Sequence, residues 1–343
     1  MFQPPRCPNP DCRQHHAPKA RFWVRYGTYQ PRCRRRPIQR FRCRDCNKTF
    51  SRQTFRHDYR DRKHACNVPL FKMLISGSGL RQAALMVGLG VHSVQRKFHK
   101  LARTCRLLHR NLSPRLPAGS TFLIDEEETF EKASIRPLTM PVVIEKDSFF
   151  VVATMAGPIR RRAAEGTERR QLQDEEEERS GKRRDRSRVC VRATLRILKR
   201  RLPSGPVRLS SDEKSSYKTI ATEVFGEHLV HETTSSTLVR STFNPLFAIN
   251  LTLAMTRDNC GRLHRKSWLV TERRRCLQRH MHLFTAYRNY VRNARNRTPG
   301  LTPARQLGLL PRPLEIDEVL AWRQDWGQRS IHPMSRRATR SVA

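Results

Sequence analysis

Acidic residues are scarce in this chain. Its 343 residues hold 30 Asp+Glu against 69 Lys+Arg, a formal charge of +39 at pH 7. That imbalance argues against an acidic, cation-storing protein and directs attention to a polyanionic partner, because positive charge on this scale raises association with phosphate backbones. Long apolar runs are lacking too. The longest, "SFFVVATMAG" at 148–157, is about half of the ~20 residues a membrane helix needs. The opening "MFQPPRCPNP" has no apolar stretch of signal-peptide length. A soluble, cytoplasmic protein associated with double-stranded DNA is expected, with no membrane partner.

A disulfide framework is also missing. Of the ten cysteines, Cys7 and Cys12 form one close pair and Cys43 and Cys46 another, while most of the rest are scattered singly. Paired cysteines in a basic, intracellular chain read as metal ligands before they read as bridges. "CPNPDC" and "CRDC" are separated by strand-like pieces, "RYGTYQPRC" and "QRFRC", which is the pattern of a zinc ribbon over 1–64. Four thiolates, Cys7, Cys12, Cys43 and Cys46, are the expected ligands of structural zinc; Cys33, His15 and His16 are the substitutes. The first knuckle is C-x4-C, a modest departure from C-x2-C that still permits chelation. Metal would stabilise a segment too small and too charged to hold a core alone.

Helical spacing follows. In 65–112, Leu80, Ala83, Ala84 and Val87 recur on one face, "GLG" at 88–90 breaks the helix, and Val91, Val94, Phe98 and Leu101 define a second amphipathic helix. Helix, Gly-containing turn and helix is the helix-turn-helix pattern. The second helix is expected to carry His92, Ser93, Gln95, Arg96, Lys97 and Lys100 outward. Gln95, Arg96, Lys97 and Lys100 are the expected DNA contacts, being side chains suited to base edges and phosphates. An ordinary helical hairpin with a basic solvent face would look the same.

From 118 to 300 strand and helix signals alternate, which predicts an α/β domain with a mixed sheet. "TFLID" is a short apolar strand, "PVVIEKDSFFVVATM" two strands about a turn, "VCVRATLRILKRRL" a helix, "VRLSSD" a strand, "SSYKTIATEVF" a helix and "EHLVHETT" a strand. The charged stretch at 158–187, with "DEEEE" at 174–178, is expected to be a solvated or disordered insertion. "RRRCLQRHMHLFTAYRNYVRNARNR" reads as a basic amphipathic helix packed through Leu277, Met281, Phe284, Tyr287 and Val291. Its Arg288 and Arg292 face either DNA or solvent. Residues 301–343 would add a short packing helix and a basic tail, with Trp322 and Trp326 as core or dimer contacts.

Against this basic background, "TFLIDEEETFE" at 121–131 is anomalous: an apolar strand runs into Asp125, Glu126, Glu127 and Glu128, with Glu131 beyond. Asp212 likewise ends an apolar strand. Two carboxylates at the ends of neighbouring strands can hold Mg²⁺ or Mn²⁺, hard cations that take oxygen ligands and keep positions for water and phosphate. Such ions serve phosphodiester chemistry by activating the attacking oxygen and stabilising the leaving one. Asp125 is the acid expected to matter. Glu126, Glu127 and Glu128 would shape the local field, and Glu127 would reach a metal only if the strand continues through it.

The order of zinc ribbon, helix-turn-helix, "FLIDEEETFE", "LSSDEKSSY" and a late "AYRNYVRNARNRTPGLTPARQLGL" resembles insertion-sequence transposases of the DDE kind. The resemblance implies a ribonuclease-H-like mixed sheet of five strands with flanking helices. It implies a first acid on the first strand, a second just after the fourth, and a third on a following helix. Asp125 and Asp212 match the first two. The helix containing "NLTL" has no Glu where related enzymes carry one, and Asp258 is the nearest helical substitute. If 244–264 is helical, Phe247, Leu251, Ala254, Asp258 and Gly261 share a face, which would turn Asp258 toward the sheet. A surface Asp paired with Arg257 or Arg262 is the alternative, and Glu232 and Glu272 are further substitutes. The resemblance implies an enzyme that binds terminal repeats, cleaves and joins DNA strands with Mg²⁺ or Mn²⁺, and works as a homo-oligomer on DNA. The missing Glu leaves a non-catalytic DNA-binding regulator, or an inactive relic, as the rival.

Overall fold

The computed structural model describes residues 2–31, 36–56, 58–59, 61–235, 237–239, 241–264 and 267–322. A short helix, α1 (Arg13–His16), precedes three antiparallel strands, β1 (Trp23–Tyr29), β2 (Ile38–Cys43) and β3 (Thr49–Ser51), in the order β1-β2-β3. Their small core is Phe22, Phe41, Phe50 and Phe55 with Cys7, Cys12 and Cys43. Four phenyl rings and three thiols are little to offset the ordering of a segment of this length.

Three helices follow: α2 (Asn67–Leu74), α3 (Leu80–Met86) and α4 (Val91–Leu112). The turn between α3 and α4 places Gly88 at φ +62, a left-handed backbone that favours glycine. Ala83 and Ala84 of α3 and Val94, Phe98 and Leu101 of α4 are buried, as their spacing predicts. Val91, expected on the packed face, is exposed beside Leu85 and Met86.

The larger sheet takes β4 (Thr121–Phe130), β5 (Pro137–Glu145) and β6 (Val151–Thr154). A two-residue strand, β7 (Gly157–Pro158), pairs with β5. After α5 (Glu168–Ser180) and α6 (Ser187–Lys199) come β8 (Val207–Asp212), α7 (Ser215–Phe225) and β9 (Leu229–Thr234). The order is β6-β5-β4-β8-β9, with β4, β5 and β6 antiparallel and β4, β8 and β9 parallel. This is the expected α/β fold with a mixed sheet. Helices α8 (Phe247–Asn259) and α9 (Arg274–Tyr290) follow, then the short α10 (Pro303–Gln306) and α11 (Ile316–Ala321).

Alternation along β4 divides the core. Phe122 and Ile124 join residues of α4, α6 and α7 on one face; Leu123 joins residues of α8 and α9 on the other. Both faces of the sheet are therefore covered.

Several expectations need correction. The charged stretch is folded. Thr167 caps α5, and Glu176 and Glu177 of that helix pair with Arg136 and Arg160. Ion pairs replace the apolar anchors whose absence suggested disorder. Arg288 is fully buried: its Nη1 and Nη2 donate to the carbonyls of Asn293 and Ala294, and its guanidinium lies 5.6 Å from the Phe149 ring centroid. It cannot meet DNA there. Trp322 is buried, whereas Trp326 and the basic tail lie outside the described residues.

Candidate functional site

The cysteines settle the first site. Cys7 Sγ lies 3.5 Å from Cys46 Sγ and Cys12 Sγ 3.8 Å from Cys43 Sγ, all four within 4.8 Å of one another. Tetrahedral zinc at about 2.3 Å from each sulfur needs sulfurs about 3.8 Å apart, whereas a disulfide needs about 2.05 Å. The donor set fits zinc. Burial pushes the Cys7 and Cys12 thiols up, so they resist ionising without a cation. Burial acts the same way on Cys46, but the Lys48 backbone N–H and neighbouring thiols outweigh it and bring it down to about 7. The substitutes are engaged elsewhere: His15 Nδ1 meets the Cys7 carbonyl at 2.8 Å and His16 Nε2 the Pro10 carbonyl at 2.7 Å. Cys33 lies outside the described residues.

The acidic site is built on β4 and β8. Thr121, Phe122 and Leu123 pair in parallel with Arg208, Leu209 and Ser210. The ladder stops there; carried on two residues, its register points Asp125 toward Asp212. β4 does not stop at Asp125 but runs through the acids to Phe130.

It can do so because the other acids are neutralised one by one. Glu126 pairs with Lys214, just before α7. Glu127, buried, accepts from Arg257 Nε at 2.9 and 3.0 Å, with the charged Nη2 2.9 Å from its Oε2. Glu128 takes both guanidinium nitrogens of Arg161 at 2.6 Å. Glu131 accepts the Arg274 backbone N–H at the start of α9 and lies 3.9 Å from Arg183. Among the described residues, Asp125 and Asp212 alone in this constellation have no cationic partner. Asp125 accepts its neighbour's N–H and Asp212 that of Lys214, at 2.6 and 3.1 Å.

The unneutralised charge has a visible effect. Burial, then the charges of Asp212, Glu126 and Glu127, push the Asp125 carboxyl up to about 6, despite the Glu126 N–H that favours its ionised form. Tyr217 of α7, fully buried, has its phenol pushed up by burial and then by Glu126, Asp125 and Asp212. One Glu126 oxygen is buried with no hydrogen-bond partner. An orphaned carboxylate oxygen beside two unpaired acids fits a divalent cation, although among the described residues only the cysteines form a group of three or more convergent metal ligands.

Asp258 is not part of this constellation. Ala248, Ile249, Thr252, Leu253, Thr256 and Asn259 are the buried face of α8, whereas Leu251, Ala254 and Asp258 are exposed. Thr252 and Thr256 satisfy their hydroxyls on the carbonyls of Ala248 and Leu253, so a partly polar face is the inward one. The residue that α8 does send to the acidic strand is Arg257.

The residues expected to contact DNA divide as well. Gln95 and Arg96 line a groove, with Arg96 exposed. Lys97 is buried, not outward: its ammonium donates to Asp61, the Lys63 carbonyl and Asn67 at 2.9–3.0 Å. Lys100 also binds Asp61, at 2.7 Å, and the Tyr59 carbonyl. The chain just ahead of α2 folds over α4 and claims both lysines. No spacing within α4 could have shown that.

Together these features define an α/β mixed-sheet protein with an N-terminal four-cysteine metal site and an acidic pair at the centre of its sheet. A scan against protein-family models and a search of curated proteins returned no match for the chain. No helix among the described residues is long and apolar enough to cross a membrane.

Proposed function

We propose that the chain is a DNA transposase of the DDE type, with a ribonuclease-H-like catalytic unit, a zinc ribbon and a helix-turn-helix that bind terminal repeats. The observation that carries this reading is the placement of Asp125 and Asp212, neither with a cationic partner among the described residues, on adjacent parallel strands whose register, carried on two residues, points one toward the other. The sheet order supports it. Counting the strands of this sheet in chain order and setting aside the two-residue β7, the first acid is on the first strand and the second ends the fourth. The charge of +39 suits a DNA-binding surface.

Asp125 and Asp212 would hold Mg²⁺ or Mn²⁺, which when bound would neutralise both carboxylates and polarise the reacting phosphodiester. Lys214 and Arg257 fix Glu126 and Glu127, which keeps the neighbouring acids from repelling the phosphate backbone. Without a cation, burial and the neighbouring carboxylates push the Asp125 carboxyl up to about 6, so its proton would compete with the metal as pH falls. Asp258, exposed on α8, has no role in this reading. A homo-oligomer on the two DNA ends belongs to it.

The test is metal-dependent nicking and strand transfer on DNA carrying the element's terminal repeats. Asp125→Ala and Asp212→Ala should each lose at least about 100-fold in rate while keeping DNA affinity, as expected when preorganised charge at the reacting atoms is removed. Activity unchanged in both variants would refute the catalytic assignment. The rival is a non-catalytic DNA-binding regulator that keeps the ribbon and helix pair. The absence of a third convergent carboxylate among the described residues favours it. It predicts repeat binding with no nicking by the wild type.

A further inference from the structure

A groove of about 1050 Å³ lies between the α3–α4 pair and a second wall formed by Gly261, Arg262 and residues from Trp268 to His280. Its lining brings Arg81 and Arg96 from the helix pair together with Arg262, Arg273 and Arg275 from the other wall, against a single acid, Glu272. Among the described residues Arg81, Arg96, Arg273 and Arg275 are exposed and have no acidic partner. The groove is strongly positive and its charge is free to meet phosphate.

Two observations narrow the ligand. Trp268, on the rim, is fully exposed, with its ring against nothing. An indole in water costs free energy that burial would recover, and although the groove also has apolar side chains such as Leu80, Val91 and Leu269, the Trp268 ring lies on none of them. Deeper in the lining, His280 is buried with Nε2 on the Leu74 carbonyl at 2.6 Å and Nδ1 without a partner. His99 beside it also has an unpartnered Nδ1. Burial, then the charges of Arg279, Arg275 and Arg262, bring His99 down to about 4. Each ring thus leaves a buried nitrogen unmet in the lining of the groove.

We propose that this groove binds a single-stranded segment of DNA, with phosphates on Arg96, Arg273 and Arg275 and an unpaired base stacked on Trp268. A base inside a duplex is already stacked on both faces and cannot cover the indole. An unpaired base can, and it brings its phosphate to the adjacent arginines. The inference rests on the DNA-binding part of the proposed function and not on catalysis. It implies that the protein engages DNA ends whose strands have parted, with the groove touching both the helix pair and the sheet-bearing unit.

The experiment measures affinity of the full chain for a short duplex with a single-stranded oligothymidine tail and for the same duplex blunt-ended. Wild type should prefer the tailed probe. Trp268→Ala should lose that preference by roughly 5- to 150-fold, the equivalent of one stacked base, with blunt-duplex affinity and melting temperature unchanged. Trp268→Phe should recover part of it. Equal affinity of wild type for both probes, or a preference that survives Trp268→Ala, would overturn the inference and leave duplex binding standing. Failure to bind either probe would overturn the DNA-binding reading as well.

Discussion

Asp125 is a carboxylate whose folded environment works against its charge. Its pKa rises from 3.8 to about 6, so the folded chain binds this proton more tightly than the unfolded one. The sign follows directly: the group's favourable contribution is complete below about pH 4 and is lost as pH rises through 6. At neutral pH the ionised Asp125 costs stability. Asp125→Asn should therefore stabilise the metal-free protein at pH 7.5 by about 1–3 kcal/mol, seen as a higher denaturation midpoint, with little change at pH 4. An unchanged midpoint at both pH values would show that Asp125 is solvated. Lys97 supplies the opposite case. It is buried against Asp61, whose carboxyl burial would raise but Lys100 and Lys97 hold below its usual range. Lys97→Ala should cost about 1–3 kcal/mol by removing one of the two lysines on buried Asp61 and the donor to Asn67 Oδ1. Arg96→Ala should leave stability unchanged and weaken DNA binding.

At the scale of elements, most helices and strands were legible because their apolar spacing is local. The turn at "GLG", the strand "VRLSSD" and the helices on either side of it all fall where their periodicity places them. What was not legible depends on partners far along the chain. β4 continues through its acids because Lys214, Arg257 and Arg161 arrive from three later segments. α5 is ordered because its acids meet Arg136 and Arg160, and its buried Gln173 bonds the Arg161 carbonyl. α8 turns its threonines inward, which an apolar-stripe reading assigns to solvent. Arg288 is buried because two carbonyls beyond its helix receive it. The ribbon is the element most dependent on a missing partner, since its core is separate from the two larger ones. Chelation should unfold this segment alone. Proton–deuterium exchange would then rise across 7–55 and stay low in β4, β5 and α9, with one zinc released per chain. Global unfolding on chelation would contradict the separation.

Across the whole molecule positive charge dominates, while β4 carries four consecutive acids and α5 a run of five. DNA affinity should fall linearly with salt on logarithmic axes, with a slope set by the number of phosphates neutralised. Within that field, the account turns on two carboxylates, Asp125 and Asp212, on neighbouring strands and left without cationic partners among the described residues. The most direct measurement is Mn²⁺ binding followed by electron paramagnetic resonance on the full, zinc-loaded chain at pH 7.5 and pH 5. Wild type should bind Mn²⁺ at pH 7.5 and more weakly at pH 5, where the proton on Asp125 competes. Asp125→Asn and Asp212→Asn should each lose that binding, and Asp258→Asn should keep it. Mn²⁺ binding that survives both of the first two substitutions, or none by the wild type at pH 7.5, would contradict the account.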